Sequence, residues 1–148
     1  MKKMGKMNKG IILFLTTMLI LTACSNPKEK LDETNISEIK VVDDFEIQFL
    51  TAQKLSSKEG EVLQLNFRVK NKSTDTRLFD SFVFVAENKE GKNLGIAPEE
   101  NFGSELKPGE SKEGSIYYYV EGSAPITVTY DDLESDKTET WKIEEIVE

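Results

Sequence analysis

The sequence contains no histidine and a single cysteine, Cys24, among its 148 residues. The absence of imidazole excludes Ser–His and Cys–His nucleophile systems and histidine-ligated metal sites. One cysteine excludes an internal disulfide and a thiolate zinc cluster. Basic residues are also in deficit, because 19 Lys and Arg face 27 Asp and Glu and leave a net charge of −8. This charge argues against nucleic acid as a partner, and the length fits one domain.

The first 24 residues have the layout of a bacterial export signal. Met1–Lys9 carries four lysines and no acid, and an apolar run follows over Ile11–Leu21. A membrane-spanning helix needs roughly 20 apolar residues. The run is shorter than that, which favours a cleaved signal over a retained anchor helix.

The export signal ends in Leu21-Thr22-Ala23-Cys24, which is similar to the lipobox of bacterial lipoproteins. The resemblance implies that residues 1–23 are a lipoprotein signal peptide and that the mature chain starts at Cys24. It also implies a covalent diacylglycerol and an N-acyl lipid on Cys24. Several acyl chains give lasting membrane attachment where one chain is marginal. We therefore expect a protein anchored on the extracellular face of the cell membrane.

Two alternatives to this interpretation stay open. Cys24 would be an ordinary free thiol if the resemblance were accidental. The cleaved signal would also have a role of its own if Leu13–Ala23 yielded a short apolar peptide used in signalling between cells.

Residues 24–38 predict a flexible tether between the lipidated N-terminus and the rest of the chain. Ser25–Glu38 is polar and charged, and its only large aliphatic residues are Leu31 and Ile36. A coil of this length spans about 20 Å. A short helix over Lys28–Thr34 is the alternative, although it would have little to pack against.

From Ile39 onward, alternation with a period of two predicts a β domain over residues 39–148. The clearest strand is Leu63–Val69, whose apolar residues alternate with polar ones, and Ser81–Ala86 is apolar on both faces as in a central strand. The other predicted strands are Phe45–Phe49, Lys92–Ile96, Gly114–Val120, Ile126–Tyr130 and Thr138–Val147. Gly91 and Gly109 supply the positive φ that the intervening turns require.

Seven or eight strands in about 110 residues predict an all-β fold, an antiparallel two-sheet sandwich. The succession resembles the telokin-like, immunoglobulin-fold domain of small secreted lipoproteins from Gram-positive bacteria. The resemblance rests on Leu65–Asn71, on a Phe-rich strand that leads to Gly91, and on Leu106–Glu110 followed by a Gly-x-Ile-x-Tyr strand. It covers Lys40–Val147 and implies an immunoglobulin-like fold without an assigned activity. Antibody-type domains have a cysteine pair, whereas this core must hold by packing alone.

Tyr117 and Tyr119 are the first candidates for a binding surface. If Tyr118 faces the core, alternation places both of them on the outer face of a sheet, where amphipathic aromatic rings favour recognition. The alternative is that they cover this face and pair across strands.

Phe102 is the other candidate for a binding surface. It lies in Gly95–Lys107, the longest segment between predicted strands, and long loops often carry recognition. The alternative is a crossover between the sheets in which Phe102 and Leu106 close one end of the core.

Acidic residues occur in pairs, but their spacing does not predict a metal site. No Asp-x-Asp-x-Asp-Gly spacing occurs, and adjacent residues on a strand point to opposite faces. The pairs are Asp43-Asp44, Glu99-Glu100, Asp131-Asp132 and Glu144-Glu145. An accessory protein that binds Ca²⁺ or a small ligand through such loops is the alternative.

These observations together predict a non-catalytic binding module at the cell envelope. We expect no cofactor beyond the lipid on Cys24, no metal and no nucleic acid. The expected partners are the membrane, through the lipid anchor, and envelope or secreted proteins.

Overall fold

Nine β-strands run through residues 37–148, the part of the chain that the computed structural model describes. In chain order they are β1 (Lys40–Val42), β2 (Phe45–Ser57), β3 (Gly60–Asn71), β4 (Arg77–Asp80), β5 (Phe84–Glu87), β6 (Gly103–Leu106), β7 (Ser111–Tyr119), β8 (Ile126–Asp131) and β9 (Thr138–Ile143). The predicted signal peptide over residues 1–23, Cys24 and the predicted tether up to residue 36 lie outside the described residues.

One sheet contains β1, β2, β3 and β7 in that order, with every neighbour antiparallel. Asp43 and Asp44 join β1 to β2 and both have positive φ, 48° and 64°. Positive φ at both central residues is the geometry of a type I′ turn, whose twist matches that of the strands it joins. This acidic pair therefore has a structural role as a hairpin turn.

A β-bulge at Leu50 changes which side chains of β2 face the core. Phe49 pairs with Phe67 and Thr51 pairs with Asn66, so Leu50 is the extra residue. The bulge shifts the alternation by one position. Phe49 and Ala52 are consequently both fully buried, while Thr51 falls on the outer face of the sheet.

The opposite layer consists of a β4–β6 pair and a three-stranded sheet in the order β5, β8, β9. The prediction of one central strand over Ser81–Ala86 is wrong. Ser81–Val83 forms a 3₁₀ turn that Asp80 caps at the backbone N–H of Phe82, and Phe82 is 57% exposed. This turn separates β4 from β5, and the two strands have different partners: β4 pairs with β6, while β5 pairs with β8. The central strand of the three is β8.

An aromatic cluster fills the space between the two layers. Its members are Phe45, Phe49, Phe67, Phe79, Phe84, Tyr118, Tyr130 and Trp141. Trp141 packs edge-on against Phe49 and Phe84, at centroid distances of 5.3 and 6.2 Å, and its Nε1 donates to the carbonyl of Glu38. Edge-to-face pairs contribute about 0.5–1.5 kcal/mol each beyond their buried area. Aromatic packing thus joins the two layers, and residues 37–148 contain no cysteine that could form a disulfide between them.

These features confirm the predicted all-β, immunoglobulin-like antiparallel sandwich. The glycine turns are also confirmed, since φ is 77° at Gly91 and 75° at Gly109. Within residues 37–148, we find no helix with the length and apolar content that crossing a bilayer requires.

The predicted strand over Lys92–Ile96 is wrong. Asn93 and Ile96 each make only an isolated bridge, to Glu87 of β5 and to Tyr118 of β7 respectively. Because these two strands belong to opposite layers, the segment crosses between the layers and cannot pair with either strand over a longer run.

Candidate functional site

The three consecutive tyrosines of β7 alternate between the core and the outer face of the four-stranded sheet. Tyr118 is fully buried and its hydroxyl donates to the carbonyl of Phe84 in the opposite layer, at 2.9 Å. Burial raises the pKa of Tyr118 well above its ordinary value. Tyr117 and Tyr119 lie on the outer face and are partly buried. The orientation of all three rings is the one that alternation predicts.

Gln64 lies at the centre of a row of side chains that crosses three strands on this outer face. Its Oε1 accepts from Gln53 Nε2 of β2 at 2.5 Å. Its Nε2 donates to the Tyr117 hydroxyl at 2.8 Å and to Ser115 Oγ at 3.1 Å. The row therefore links β2 through β3 to β7.

Asn66 forms a second row, two residues further along β3. Its Nδ2 donates to Thr51 Oγ1 and its Oδ1 accepts from Ser115 Oγ, both at 2.6 Å. Ser115 also accepts from Gln64, so the two rows make one connected network. We call it the amide–hydroxyl ladder, and its members are Thr51, Gln53, Gln64, Asn66, Ser115 and Tyr117.

Charged groups border the ladder but do not enter it. At one end, Arg68 contacts Glu113 through Nη2 at 2.6 Å, and both side chains are about half exposed. At the other end, the Tyr119 hydroxyl donates to Glu59 Oε2 at 2.9 Å. This hydrogen bond is the main reason that the pKa of Tyr119 is raised. All six ladder side chains are uncharged, although 31% of the residues in the chain are charged.

The segment that follows β5 covers the free edge of β7 beside the ladder. Ala97 N–H donates to the carbonyl of Tyr117, and Tyr119 N–H donates to the carbonyl of Gly95, both at 2.8 Å. Asn101 Oδ1 accepts the backbone N–H of Tyr117 at 2.9 Å. The backbone of β7 is thereby held on both sides, which keeps Tyr117 in place on the outer face.

An open groove of about 700 Å³ lies between this edge segment and the β2–β3 hairpin. Its walls are Ser56, Ser57, Lys58, Glu59, Pro98 and Glu99. Glu99 Oε2 is buried there and has no hydrogen-bond partner among the described residues. The groove continues the outer face beyond Tyr119, since Tyr119 contacts Glu59.

Phe102 is half-buried and packs against the core. Its ring lies 5.6 Å from that of Phe67 and 6.3 Å from that of Phe79. Leu106 is fully buried in the same crossover. These contacts are the ones that the crossover interpretation predicts, in which Phe102 and Leu106 close one end of the core, and a binding role for Phe102 stays a prediction.

Two of the acidic pairs approach each other in the part of the chain that the structure describes, because Asp43 and Asp132 line the same open pocket. Asp43 forms half of the type I′ turn and contacts Lys137 Nζ at 3.4 Å. Across residues 37–148, no three carboxylates lie close enough to one another to hold a metal ion. Cys24 and the lipobox residues Leu21, Thr22 and Ala23 lie outside the described residues.

Five of the six ladder residues were missed as candidates for a site in the sequence: Thr51, Gln53, Gln64, Asn66 and Ser115. Their alternation with apolar residues places Gln64 and Asn66 on an outer face, which is a weak signal because most outward residues are polar. No pattern in the neighbouring residues indicates that Thr51 and Gln53 lie beside them. The bulge at Leu50 shifts the alternation of β2 by one residue, so the sequence does not show which face these two side chains occupy.

The fold and the ladder define a class of protein, an immunoglobulin-like sandwich with an uncharged polar face on its four-stranded sheet. Residues 21–132 match the model of a family described as Domain of unknown function (DUF5067), and the chain belongs to this family. The curated proteins contain no match to this chain.

Three solved structures share the fold. The chain is similar to ycdA of Bacillus subtilis, a candidate lipoprotein, with a TM-score of 0.62 and 25% identity, over 73% of this chain and 39% of that one. It therefore spans well under half of the ycdA chain. It also resembles the yjhA protein of Bacillus subtilis, with a TM-score of 0.58 and 14% identity over 74% of this chain and 98% of that one. The third is the secreted protein MPT63 of Mycobacterium tuberculosis, with a TM-score of 0.56 and 16% identity over 73% of this chain and 94% of that one.

Proposed function

We propose that the protein is a lipid-anchored, non-catalytic binding module on the extracellular face of the membrane of a Gram-positive bacterium. The lipobox-like segment that ends at Cys24 supports the anchor. The similarity to ycdA, described as a candidate lipoprotein, supports the same location. Within the immunoglobulin-like class, we assign the domain to the telokin-like type on the motif residues Leu65–Asn71 and Leu106–Glu110.

The observation that carries the proposal is the amide–hydroxyl ladder. Side chains that form a connected network on a sheet face are held in fixed orientations, and fixed polar groups bind a partner with little loss of side-chain entropy. The six ladder side chains are hydroxyls and carboxamides, and none is a carboxylate, an imidazole, an amine or a thiol. Their chemistry supports recognition in preference to acid–base catalysis, and the absence of histidine from the whole sequence agrees with this.

The partner is a macromolecule of the envelope or one secreted through it. The negative charge of the chain disfavours some classes of partner. Without the signal peptide, the excess of acidic over basic residues grows by four, since residues 1–23 contain four lysines and no acid. Like charges repel, which disfavours nucleic acid and other polyanions. Envelope and secreted proteins are the partners expected from the sequence.

Proximity labelling from the anchored full-length protein tests this proposal. A biotinylating enzyme fused to the C-terminus marks neighbours in intact cells, and wild type is compared with the Tyr117→Ser, Tyr119→Ser variant. We expect a set of labelled envelope components that the variant loses, because both rings lie on the outer face beside the ladder.

The matched control is the Thr129→Ala, Thr140→Ala variant. These two residues form a cross-strand hydroxyl pair, at 3.2 Å, on the exposed face of the opposite sheet. The control should keep the labelled set of the wild type. Identical sets in wild type and the tyrosine variant, with both proteins folded and anchored, would contradict a binding role for the outer face.

A further inference from the structure

We infer that the amide–hydroxyl ladder binds a neutral oligosaccharide, as carried by a glycosylated macromolecule of the envelope. This ligand class rests on the proposed function and gives it a specific chemistry. The inference depends on which hydrogen-bonding groups of the ladder remain available, on the absence of charge within it, and on its dimensions.

The two outermost hydroxyls of the ladder, one on β7 and one on β2, can each still donate a hydrogen bond. In the described part of the chain, the Tyr117 hydroxyl and Thr51 Oγ1 both accept a hydrogen bond from an amide and donate none. Gln53 uses one N–H toward Gln64, so its carbonyl and second N–H remain available. Asn66 likewise has a second N–H. The face thus offers both donors and acceptors at fixed positions.

A sugar hydroxyl donates and accepts at the same time, so a polyol satisfies such a mixed set of groups. The apolar core of an interface with a bare protein surface would instead cover these groups and leave them unpaired, which is unfavourable. An anionic glycan finds no cation in the ladder, because the adjacent Arg68 is already paired with Glu113. The ladder therefore fits an uncharged polyol better than either alternative.

The dimensions of the ladder agree with this ligand class. It crosses three strands, which is about 10 Å at the usual spacing, and its two rows are about 7 Å apart along the strand. This area accommodates about one or two sugar rings lying flat on the sheet. The ladder ends at the ion pair between Arg68 and Glu113 on one side. On the other side it ends at the hydrogen bond between Tyr119 and Glu59.

Titration calorimetry of the purified acylated protein in micelles tests the inference. The probes are cellohexaose, chitohexaose and maltohexaose as neutral oligosaccharides, and a polygalacturonate hexamer as an anionic one. We expect saturable binding of at least one neutral probe with a dissociation constant below about 1 mM, and at least about tenfold weaker binding of the anionic probe.

Two conservative substitutions remove the available hydroxyls while keeping the shape of the side chains. Thr51→Val and Tyr117→Phe should each weaken binding of the neutral probe about threefold or more, and together about tenfold or more. The Thr129→Val, Thr140→Val variant removes the matched hydroxyl pair of the opposite sheet and should bind like wild type. Circular dichroism checks that each variant is folded.

Three results would overturn the inference: no saturable binding of any neutral probe, equal binding of the anionic probe, or binding that the double variant leaves unchanged. If one of these occurs while proximity labelling still depends on Tyr117 and Tyr119, the binding face stands and its ligand is a protein. If proximity labelling fails as well, the proposed function falls with the inference.

Discussion

The ring of Phe102 lies directly against the backbone of Gly114 in β7. A Cβ built on Gly114 would come within 2.3 Å of Phe102 Cγ and within 2.7 Å of Phe102 Cβ. The ring cannot move away freely, because it also packs against Phe67 and Phe79. Gly114 therefore allows the crossover after β5 to lie close to β7 and to hold the edge beside the ladder.

Gly114→Ala should lower the free energy of unfolding by about 1–3 kcal/mol, the usual cost of overpacking a core. The steric clash outweighs the gain of about 0.5–1 kcal/mol that alanine brings over glycine within a strand. Urea denaturation followed by Trp141 fluorescence measures the change. The control is Gly103→Ala, whose Cβ would meet the Asp80 carboxylate at ordinary distances, 3.9 Å to Oδ2 and 4.0 Å to Cγ. Equal stability of the two variants would show that the contact with Phe102 is not tight.

Asn71 is a fully buried polar residue at the end of β3, and all its side-chain hydrogen bonds are internal. Its Nδ2 donates to the carbonyls of Asp75 and Leu106, at 2.7 and 2.9 Å, and its Oδ1 accepts from the N–H and hydroxyl of Ser73. Asn71→Ala should cost about 1–3 kcal/mol of stability, because the buried Leu106 carbonyl loses its hydrogen bond and the turn over Ser73 and Asp75 loses three more. Thermal and urea unfolding measure the loss, and the exposed Asn93→Ala variant is the control. A change below about 0.5 kcal/mol would contradict the prediction.

Stability should fall above about pH 10 because of Tyr118. Burial raises the pKa of Tyr118 in the folded protein, whereas in the unfolded chain it stays near 10. Above that pH, the unfolded state releases this proton while the folded state keeps it. The contribution of Tyr118 to the free energy of unfolding is thus fully present below about pH 10. It decreases by about 1.4 kcal/mol per pH unit as the pH rises toward the pKa of Tyr118 in the folded protein.

Tyr118→Phe isolates this effect. The variant should be less stable than wild type by about 1 kcal/mol at pH 8, because it lacks the hydrogen bond to the Phe84 carbonyl. The difference should shrink as the pH rises from 10 to 11, as measured by urea midpoints. Phe67→Leu, a core substitution that removes no ionisable group, should keep the pH dependence of the wild type. A difference between Tyr118→Phe and wild type that stays constant with pH would be the contradictory result.

Cys24→Ala should abolish lipid attachment, because the lipobox interpretation places the lipid on the sulfur of Cys24. Cells grown with a labelled fatty acid should mark the wild-type protein and leave the variant unmarked, and the variant should no longer be retained in the membrane after signal removal. Thr22→Ser keeps a small residue in the lipobox and is the control that should be labelled normally. Equal labelling of the alanine variant, or equal membrane retention of its processed form, would end the lipoprotein interpretation.

Several elements of the fold could be predicted from local patterns. The strand over Leu63–Val69 lies within β3, and its apolar residues face the core because period-two alternation continues through it without interruption. The turns at Gly91 and Gly109 were predictable because each needs a positive φ that glycine supplies without strain. The inward direction of Tyr118 followed from the same alternation.

Other elements could not be predicted, because interactions between distant parts of the chain decide them. The second half of β2 escaped prediction because the bulge at Leu50 interrupts the alternation. The 3₁₀ turn at Ser81–Val83 interrupts a run that is apolar throughout, and it forms where the chain changes its pairing partner from β6 to β8.

The sequence by itself determined the class of fold, the inward faces of the long strands and the signal-like N-terminus, because each depends on the spacing of residue types within a short segment. Only the tertiary structure decided that Thr51 and Gln53 lie beside Gln64, Asn66, Ser115 and Tyr117. The hydrogen bond between Gln64 and Tyr117 joins residues 53 positions apart. Such a contact exists only because backbone pairing sets the register of β7 on β3 and a bulge sets the phase of β2.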